Sequence, residues 1–463
     1  MPLWMASLAD RLRASFFLLP TVAVVLALGV GTAMLALDES LQDVAVDAPF
    51  VLGSTVDSAR AVLSTIAAAT ISFAGIAFSV SLLVIQLSST QHSPRVVHTL
   101  FRDPFNKRVM ALVLGTFTYC LVVLRAVRGP LEKGGEPVVP NVSLSLAVLL
   151  GVGAILATVA FINHSAHSMD ISVVLERVTD GALEQARRAW TPAGEPRPNE
   201  LVEPSGAELR AAAVDERNSR AGGIGPGETA AGEGDPTVAR FRRNGWVQAL
   251  DLGRLEGLVP PRGAIVLLTA AGRYAVQGAP LCSVTGDLQD PDGFEQAANH
   301  AAVLGNSRTM QQDASYGMRQ LSDVALRALS PGVNDPTTAQ DAIFHLASVV
   351  TELLRRDPPP SVRITDGGGR LVLAEEPSHD ELVRSAFAEL RRAAAPHPTV
   401  CTYLLEALHL VRSALVHDRL ADRAPALEQE ARLVVEGSDA SSSLPHDRQL
   451  VREAYERRFG SGG

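Results

Sequence analysis

Four long apolar runs occupy the first third of the chain. They cover residues 16–37, 61–87, 109–127 and 144–162. An α-helix rises about 1.5 Å per residue, so about 20 residues cross the hydrocarbon core of a bilayer. No charge lies in the middle of any run, and Arg125 stands near the end of the third. The first run is longer than the apolar region of a signal peptide, so the pattern predicts four uncleaved transmembrane helices.

The loops between these runs differ in charge, and this difference predicts an orientation. The first loop is acidic: it contains Asp38, Glu39, Asp43, Asp47 and Asp57, and its only basic residue is Arg60. Basic residues instead precede the first span, at Arg11 and Arg13. The loop between the second and third spans is also basic, with Arg95, Arg102, Lys107 and Arg108. Basic loops stay on the cytosolic side of a membrane. The third loop is mixed. We therefore expect both termini in the cytosol.

The pattern as a whole predicts a mainly α protein. A four-helix transmembrane domain is followed by a cytosolic α+β domain with a small β module and a helical bundle. The predicted parts are the transmembrane domain (1–163), a cytosolic helical extension (164–190), a flexible linker rich in Gly, Pro, Glu and Ala (191–236), a small β-containing module (237–290) and a cytosolic helical domain (291–463).

Within the cytosolic part, alternating or apolar stretches predict strands at 246–250, 264–268 and 273–276. Asp251 is suited to cap a short helix that runs to Val259. Residues 274–281 resemble the hairpin of biotinyl and lipoyl carrier domains, but the turn lacks the lysine that a carrier needs. Helices are predicted at 306–329, 336–355, 379–393, 399–416, 424–435 and 444–459.

Composition and absent motifs limit the function. The net charge is −9 and no basic run occurs, which argues against a nucleic-acid partner. Lys107 and Lys133 are the only lysines, and neither fits a P-loop or a Schiff-base enzyme. Gly-x-Ser-x-Gly, Cys-x-x-Cys and His-Glu-x-x-His do not occur. We therefore expect no enzymatic activity, no cofactor and no metal site.

The second span carries a polar stripe with a heptad period. Thr65, Ser72, Ser79 and Gln86 recur every seven residues, close to two helical turns, so they share one face. With Leu82 and Leu83 as a dewetting constriction, this face could line a pore in an oligomer. Alternatively, its small and weakly polar residues could allow close helix packing.

Two proline-containing turns follow the same local chemistry. In residues 91–95, Ser93 and Pro94 suit the start of a short interfacial helix. In residues 330–336, Gly332 is suited to a positive φ, Asp335 to an N-cap and Pro336 to the first helical position. Arg319, Asp323 and Arg327 share a face of the preceding helix, so with Asn334 and Asp335 they are candidates for binding a small anion.

One polar cluster follows the fourth span. His164, His167 and Asp170 have a spacing that can hold a metal on a helix, but such a group is usually only a polar interfacial face, which is the interpretation favoured here.

Several phrases together resemble a bacterial family of predicted membrane proteins, domain of unknown function 2254. They are Gln86-Leu-Ser-Ser, Gln91-His-Ser-Pro-Arg95, residues 312–321 (QDASYGMRQL) and residues 325–339 (ALRALSPGVNDPTTA). The likeness covers about residues 10–420, and the linker at 191–236 departs from it. The resemblance implies a multi-pass protein of the bacterial plasma membrane and no established activity.

Two functional hypotheses remain open at this point. One is a homo-oligomeric, channel-like or membrane-sensing protein in the lipid bilayer, which the cytosolic domain assembles or gates and through which ions pass. The other is a non-conducting membrane scaffold whose cytosolic domain binds a protein or a small anionic ligand. A pore requires the stripe on the second span to surround an axis in an oligomer, whereas a scaffold can bury it within one subunit.

Overall fold

The computed structural model describes residues 18–40, 55–91, 104–128, 139–167, 170–195, 237–288 and 290–460. These residues are mainly helical, with a small region of β-sheet. They form two compact units, residues 1–174 and 175–463. The short interfacial helix predicted to start at Ser93 and most of the predicted linker, residues 196–236, lie outside the described residues.

The first unit contains four long apolar helices. They are α1 (Leu18–Ser40), α2 (Val56–Gln91), α3 (Pro104–Ala126) and α4 (Asn141–His167). Each is long and apolar enough to cross a membrane. Helix α3 packs against the other three, and its Tyr119, Cys120 and Val123 are almost fully buried. The apolar runs in the sequence therefore correspond to these helices, with each helix extending a few residues beyond at least one end of its run.

Two polar contacts hold the ends of these helices together. The carboxylate of Asp38, at the end of α1, accepts hydrogen bonds from the backbone N–H groups of Val142 (2.9 Å) and Ser143 (2.8 Å) at the start of α4. Arg60, in the first turn of α2, donates to the backbone carbonyl of Val127 just after α3 (3.1 Å). The end of α1, the start of α2, the end of α3 and the start of α4 therefore lie at one end of the bundle.

Large apolar side chains cover the outside of this unit. On α1 and α4 the exposed ones are Leu18, Leu19, Val22, Val25, Leu26, Leu28, Val30, Leu37, Leu149, Val152, Ile155, Leu156, Val159 and Ile162. A soluble protein rarely exposes so continuous an apolar surface, whereas a lipid bilayer covers it at no cost.

Most of α5 (Ile171–Ala189) belongs to the second unit, and short strands and helices follow it. The strands are β1 (Thr191–Pro192), β2 (Thr237–Arg240), β3 (Gly245–Leu250), β4 (Ala264–Leu267), β5 (Tyr274–Ala275), β6 (Pro280–Thr285), β7 (Ala302–Gly305), β8 (Arg356–Asp357), β9 (Val362–Ile364) and β10 (Arg370–Val372). The short helices among them are α6 (Leu252–Glu256) and α7 (Pro291–Ala301).

These strands form three small sheets. One has the order β2-β6-β4-β10-β9, in which β4 and β10 are parallel and the other pairs antiparallel. The second is the antiparallel sheet β5-β3-β7, and the third pairs β1 with β8. One apolar core joins the two larger sheets to α7 through Leu250, Ile265, Leu281, Phe294 and Leu371.

A helical bundle completes the second unit. Its helices are α8 (Ala314–Ala328), α9 (Pro336–Leu354), α10 (His379–Ala394), α11 (Pro398–His417), α12 (Pro425–Ser441) and α13 (Pro445–Phe459). Helix α11 packs against α9, α12 and α13, and its Val400, Leu404, Leu405 and Leu408 are fully buried. By length and composition α11 is also apolar enough to cross a membrane, the fifth such helix among the described residues.

Several sequence expectations for the second unit need correction. Residues 306–313 are not helical, since α8 begins only after Asp313. The region after residue 290 is not wholly helical, because it supplies β7, β8, β9 and β10. Residues 274–281 do not form a carrier-like hairpin, because β5 pairs with β3 whereas β6 pairs with β2 and β4.

Two further boundaries differ from expectation near the end of the first unit. The helix predicted over 164–190 is divided: Asp170 accepts a hydrogen bond from the backbone N–H of Ser172 (2.9 Å) and starts α5 as a separate helix. Thr191 and Pro192, placed in the flexible linker from sequence, pair with Asp357 and Arg356. His164, one of the residues considered for a metal, lies instead with its ring against Phe105 (4.6 Å between centroids).

Candidate functional site

Helix α2 has two opposite faces. Ala59, Leu63, Ala67, Ala74 and Ala77 recur at helical spacing and are buried against the other helices of the first unit. The predicted polar stripe, Thr65, Ser72, Ser79 and Gln86, lies on the opposite side and is exposed along its whole length. Within the part of the chain that the structure describes, no segment covers this stripe.

The hydroxyl groups of the stripe are satisfied within their own helix. Thr65 donates to the carbonyl of Ala61 (2.7 Å), Ser72 to that of Ala68 (2.8 Å) and Ser79 to that of Gly75 (2.9 Å). A hydroxyl bound in this way still has lone pairs free to accept a hydrogen bond. The stripe is consequently stable next to lipid, next to another helix or next to water.

Small residues separate the polar ones on this face. Ala68 and Gly75 are exposed, and a Cβ atom added to Gly75 would contact nothing within 4 Å. Another helix could therefore approach the backbone of α2 closely here. Towards the end of the helix, the side chains of Leu82 (47% exposed) and Leu83 (53% exposed) are also exposed.

The turn at 330–336 has the predicted cap, but its residue with positive φ is not the predicted one. Asp335 caps α9, since its carboxylate accepts hydrogen bonds from the N–H (3.1 Å) and the hydroxyl (2.6 Å) of Thr338. These bonds hold the pKa of Asp335 below its ordinary value. Asn334 has a φ of 50°, whereas Gly332 is not among the residues with positive φ. Asn tolerates this conformation through its short polar side chain.

The predicted ladder on α8 is partly formed. The guanidinium of Arg319 lies 2.8 Å from the carboxylate of Asp323 and 2.9 Å from that of Glu389 on α10. The anion hypothesis depends on Arg319, Arg327 and the helix N-terminus that Asp335 caps. Arg319 pairs with carboxylates and the N-terminus is occupied by Asp335, so an anion would have to displace these partners.

A tightly packed polar assembly surrounds the start of α8, and sequence analysis did not single it out as a site. Asp313 caps α8 by accepting from the N–H of Tyr316 (3.1 Å), and it pairs with both Nε (3.0 Å) and Nη2 (2.6 Å) of Arg308. Gln312 donates to the carbonyl of Leu250 (3.1 Å) and accepts from its N–H (2.9 Å). The assembly thus ties α8 to strand β3.

The charges of this assembly are partly withdrawn from water. The guanidinium of Arg308 lies 5.1 Å from the ring centre of Tyr316 and 5.9 Å from that of Trp246. Burial raises the pKa of Asp313, and the charge and hydrogen bonds of Arg308 oppose that rise. Gly272 (φ 82°) presses against the pair from the turn before β5: a Cβ atom added to it would lie 2.1 Å from Oδ2 of Asp313.

Residues 312–316 therefore have a structural role, because they cap α8 and connect it to β3. They also belong to one of the sequence phrases that resemble the family. Asp is one of the residues preferred at an N-cap, where its carboxylate accepts a hydrogen bond from the N–H three residues later, as Asp313 does from Tyr316. Recognising it would have moved the predicted start of this helix from Asn306 to Ala314. The pairing with Arg308 and the contact with Gly272 depend on tertiary structure, so local sequence gives no signal for them.

Comparison with known proteins agrees with the resemblance noted from the sequence. The profile of the family described as "Predicted membrane protein (DUF2254)" matches residues 13–409. The chain belongs to this family. The family is described as a predicted membrane protein, which agrees with the long apolar helices of the first unit.

Similar proteins of this kind occur in mycobacteria. Uncharacterized proteins of Mycobacterium bovis and of two strains of Mycobacterium tuberculosis are 29% identical to this chain over 456 residues, which is 97% of this chain and 81% of theirs. No solved structure shows significant similarity to the chain.

Proposed function

We propose that this protein is a homo-oligomeric, channel-like protein of the bacterial plasma membrane. Helices α1–α4 are its four membrane spans, and both termini are cytosolic. Three features support this topology: the apolar outer surface of α1 and α4, the contacts of Asp38 and Arg60 that place alternate helix ends together, and the basic residues of the second loop. The second unit lies in the cytosol, where it assembles or gates the membrane part.

In this proposal α11 is a core helix of the cytosolic bundle and not a fifth span. Its apolar side chains pack on α9, α12 and α13. Its polar groups pair with the same neighbours, as Arg412 does with Glu428 on α12 (3.0 Å). A helix that is apolar on most sides is typical of the centre of a soluble bundle as well as of a membrane span.

The observation that carries the channel proposal is the position of the polar stripe on α2. Thr65, Ser72, Ser79 and Gln86 face outward from a single subunit, away from the helices α2 packs against. If several copies meet on this face, weakly polar groups surround a common axis within the membrane. Leu82 and Leu83 then narrow that axis near the cytosolic end, where two apolar rings exclude water.

The same face also supports a second candidate, a non-conducting membrane scaffold. Its hydroxyl groups already bond to their own backbone, and Ala68 and Gly75 allow a close approach of helices. Copies of α2 that pack directly against one another leave no water-filled channel between them. The cytosolic units would then be held together as a platform for a protein or small-ligand partner.

Conductance distinguishes the two candidates. We expect Leu83→Ser to raise the leak current of the protein reconstituted in planar bilayers several-fold, because a hydroxyl replaces an apolar constriction. Leu149→Ser is the matched control: Leu149 is an exposed leucine of α4 that faces lipid in the proposal, so its current should equal that of the unmodified protein. No current from Leu83→Ser, in protein shown to be folded and inserted, would reject the channel and leave the scaffold.

A further inference from the structure

A cavity of about 170 Å³ lies inside the second unit, beside the Asp313 assembly. The turn 270–273, the start of α8, the end of α5 and the residues that precede α10 enclose it. Trp190, Leu353 and Leu382 provide apolar lining, and the acidic residues of the lining are Asp313, Glu375 and Glu376. A cavity of this size has room for a small organic molecule.

The charges around this cavity fall into two groups. Asp313 and Arg308 neutralise each other through the paired hydrogen bonds described above. Glu375, Glu376 and Arg273 are different: their side chains form no hydrogen bond or ion pair with any residue that the structure describes. Among these unpaired groups negative charge exceeds positive charge, so the cavity is electrostatically suited to a cation.

We propose that this cavity binds a small organic cation, whose primary ammonium group pairs with Glu376 and Glu375 and whose short apolar body lies against Trp190 and Leu382. An ammonium group suits the site because it combines one positive charge with several hydrogen-bond donors, which two carboxylates can accept. The indole ring of Trp190 provides an apolar surface for the body of the ligand. A cavity with an apolar wall and a few converging polar groups is the usual form of a small-molecule site.

The electrostatic state of Glu376 agrees with this assignment. Glu376 is an exposed residue, yet the surrounding protein reduces the hydration of its carboxyl group. This desolvation raises the pKa of Glu376, the negative charge of Asp313 raises it further, and Arg273 opposes the rise. A bound cation would stabilise the ionised carboxylate. Ligand affinity should therefore increase as pH rises through the pKa of Glu376.

Calorimetric titration of the purified full chain tests the proposal. The probes are n-butylammonium and 1,4-diaminobutane, with butyrate as a control of similar size and opposite charge. We expect both ammonium probes to bind, butyrate to give no heat of binding, and ammonium affinity to rise with pH as Glu376 loses its proton. Failure of both ammonium probes to bind, or equal binding of butyrate, would overturn the assignment.

Two variants locate the binding to this cavity. Glu376→Gln keeps the shape of the side chain and removes its charge, so it should weaken ammonium binding at least about tenfold and abolish most of the pH dependence. Glu436→Gln, on the exposed surface of α12, is the matched control and should bind as the unmodified protein does. Glu375→Gln provides an independent second measurement. Unchanged affinity in both Glu376→Gln and Glu375→Gln would place the ligand elsewhere and contradict the proposal.

Discussion

Replacing Gly272 by alanine is expected to destabilise the second unit by about 3 kcal/mol or more. The added Cβ atom would lie 2.1 Å from Oδ2 of Asp313 and 3.1 Å from Nη2 of Arg308, so the ion pair would have to move. Overpacking of this kind costs about 1–3 kcal/mol. The left-handed backbone at φ 82° adds about 1–2 kcal/mol for any residue with a Cβ atom. Thermal unfolding followed by tryptophan fluorescence measures the loss, since Trp190 and Trp246 lie in this unit.

Gly278→Ala separates the two costs. Gly278 has nearly the same backbone conformation, with φ 83°, but a Cβ atom added there would contact nothing within 4 Å. This variant should lose only the conformational part, about 1 kcal/mol. If Gly272→Ala proved no worse than Gly278→Ala, the close contact between the turn and the Asp313–Arg308 pair would be disproved.

Replacing Arg308 by methionine is expected to cost about 3 kcal/mol. The Asp313 side chain is 6% exposed and would be left as a buried carboxylate without its partner. Breaking a buried ion pair by removing one member costs about 3–5 kcal/mol, and the 25% exposure of the Arg308 side chain places this case at the lower end. Arg254→Met is the control, because the Arg254–Asp251 pair lies at the surface and should contribute at most about 1 kcal/mol.

The loss in Arg308→Met should also depend on pH in a defined direction. Removing Arg308 removes the interactions that oppose the raised pKa of Asp313, so the folded-state pKa rises further above the unfolded value. A carboxyl group of this kind contributes most to stability below its unfolded pKa, and the contribution disappears as pH rises through the folded pKa. The loss of unfolding free energy caused by Arg308→Met should therefore become smaller as pH falls. Asp313→Asn, added to Arg308→Met, should likewise recover part of the loss at neutral pH.

Local patterns in the sequence were sufficient for most of the helices and for several caps. The apolar runs of the first unit correspond to α1–α4, and in the second unit Pro336 begins α9 and His379 begins α10 as predicted. The N-caps Asp251 and Asp335 are also confirmed, because an N-cap depends only on residues three positions apart. The coarse prediction, a mainly helical protein with long apolar helices and a small sheet region, is therefore confirmed.

Contacts between distant segments could not be predicted in this way. Strands β9 and β10 are three residues each and carry arginines, so their hydrophobic signal is weak. The turn between them, Asp366-Gly-Gly-Gly369, is a hairpin signal that could have been used. No local pattern, however, indicates that β10 pairs in parallel with β4, about a hundred residues earlier.

The candidate sites likewise combine features that local sequence predicts with features that depend on contacts between distant segments. The heptad spacing of Thr65, Ser72 and Ser79 predicts a common face, and these residues do share one. Whether that face turns inward or outward depends on where the neighbouring helices lie, which a single helix does not encode. The cavity beside Asp313 draws its lining from α5, α8, α9, α10 and a turn of the β module, so only the folded chain brings Trp190, Arg273 and Glu376 together.

Crosslinking within the membrane tests most directly whether copies of this chain meet on the polar face of α2. Ser72→Cys places a thiol in the middle of the stripe, and Leu149→Cys places one on the exposed face of α4. The native cysteines Cys120, Cys282 and Cys401 are buried and should react slowly. With a short bis-maleimide in native membranes, the proposal predicts covalent dimers from Ser72→Cys and monomers from Leu149→Cys. Monomers from Ser72→Cys under conditions in which its thiol is fully labelled would contradict it.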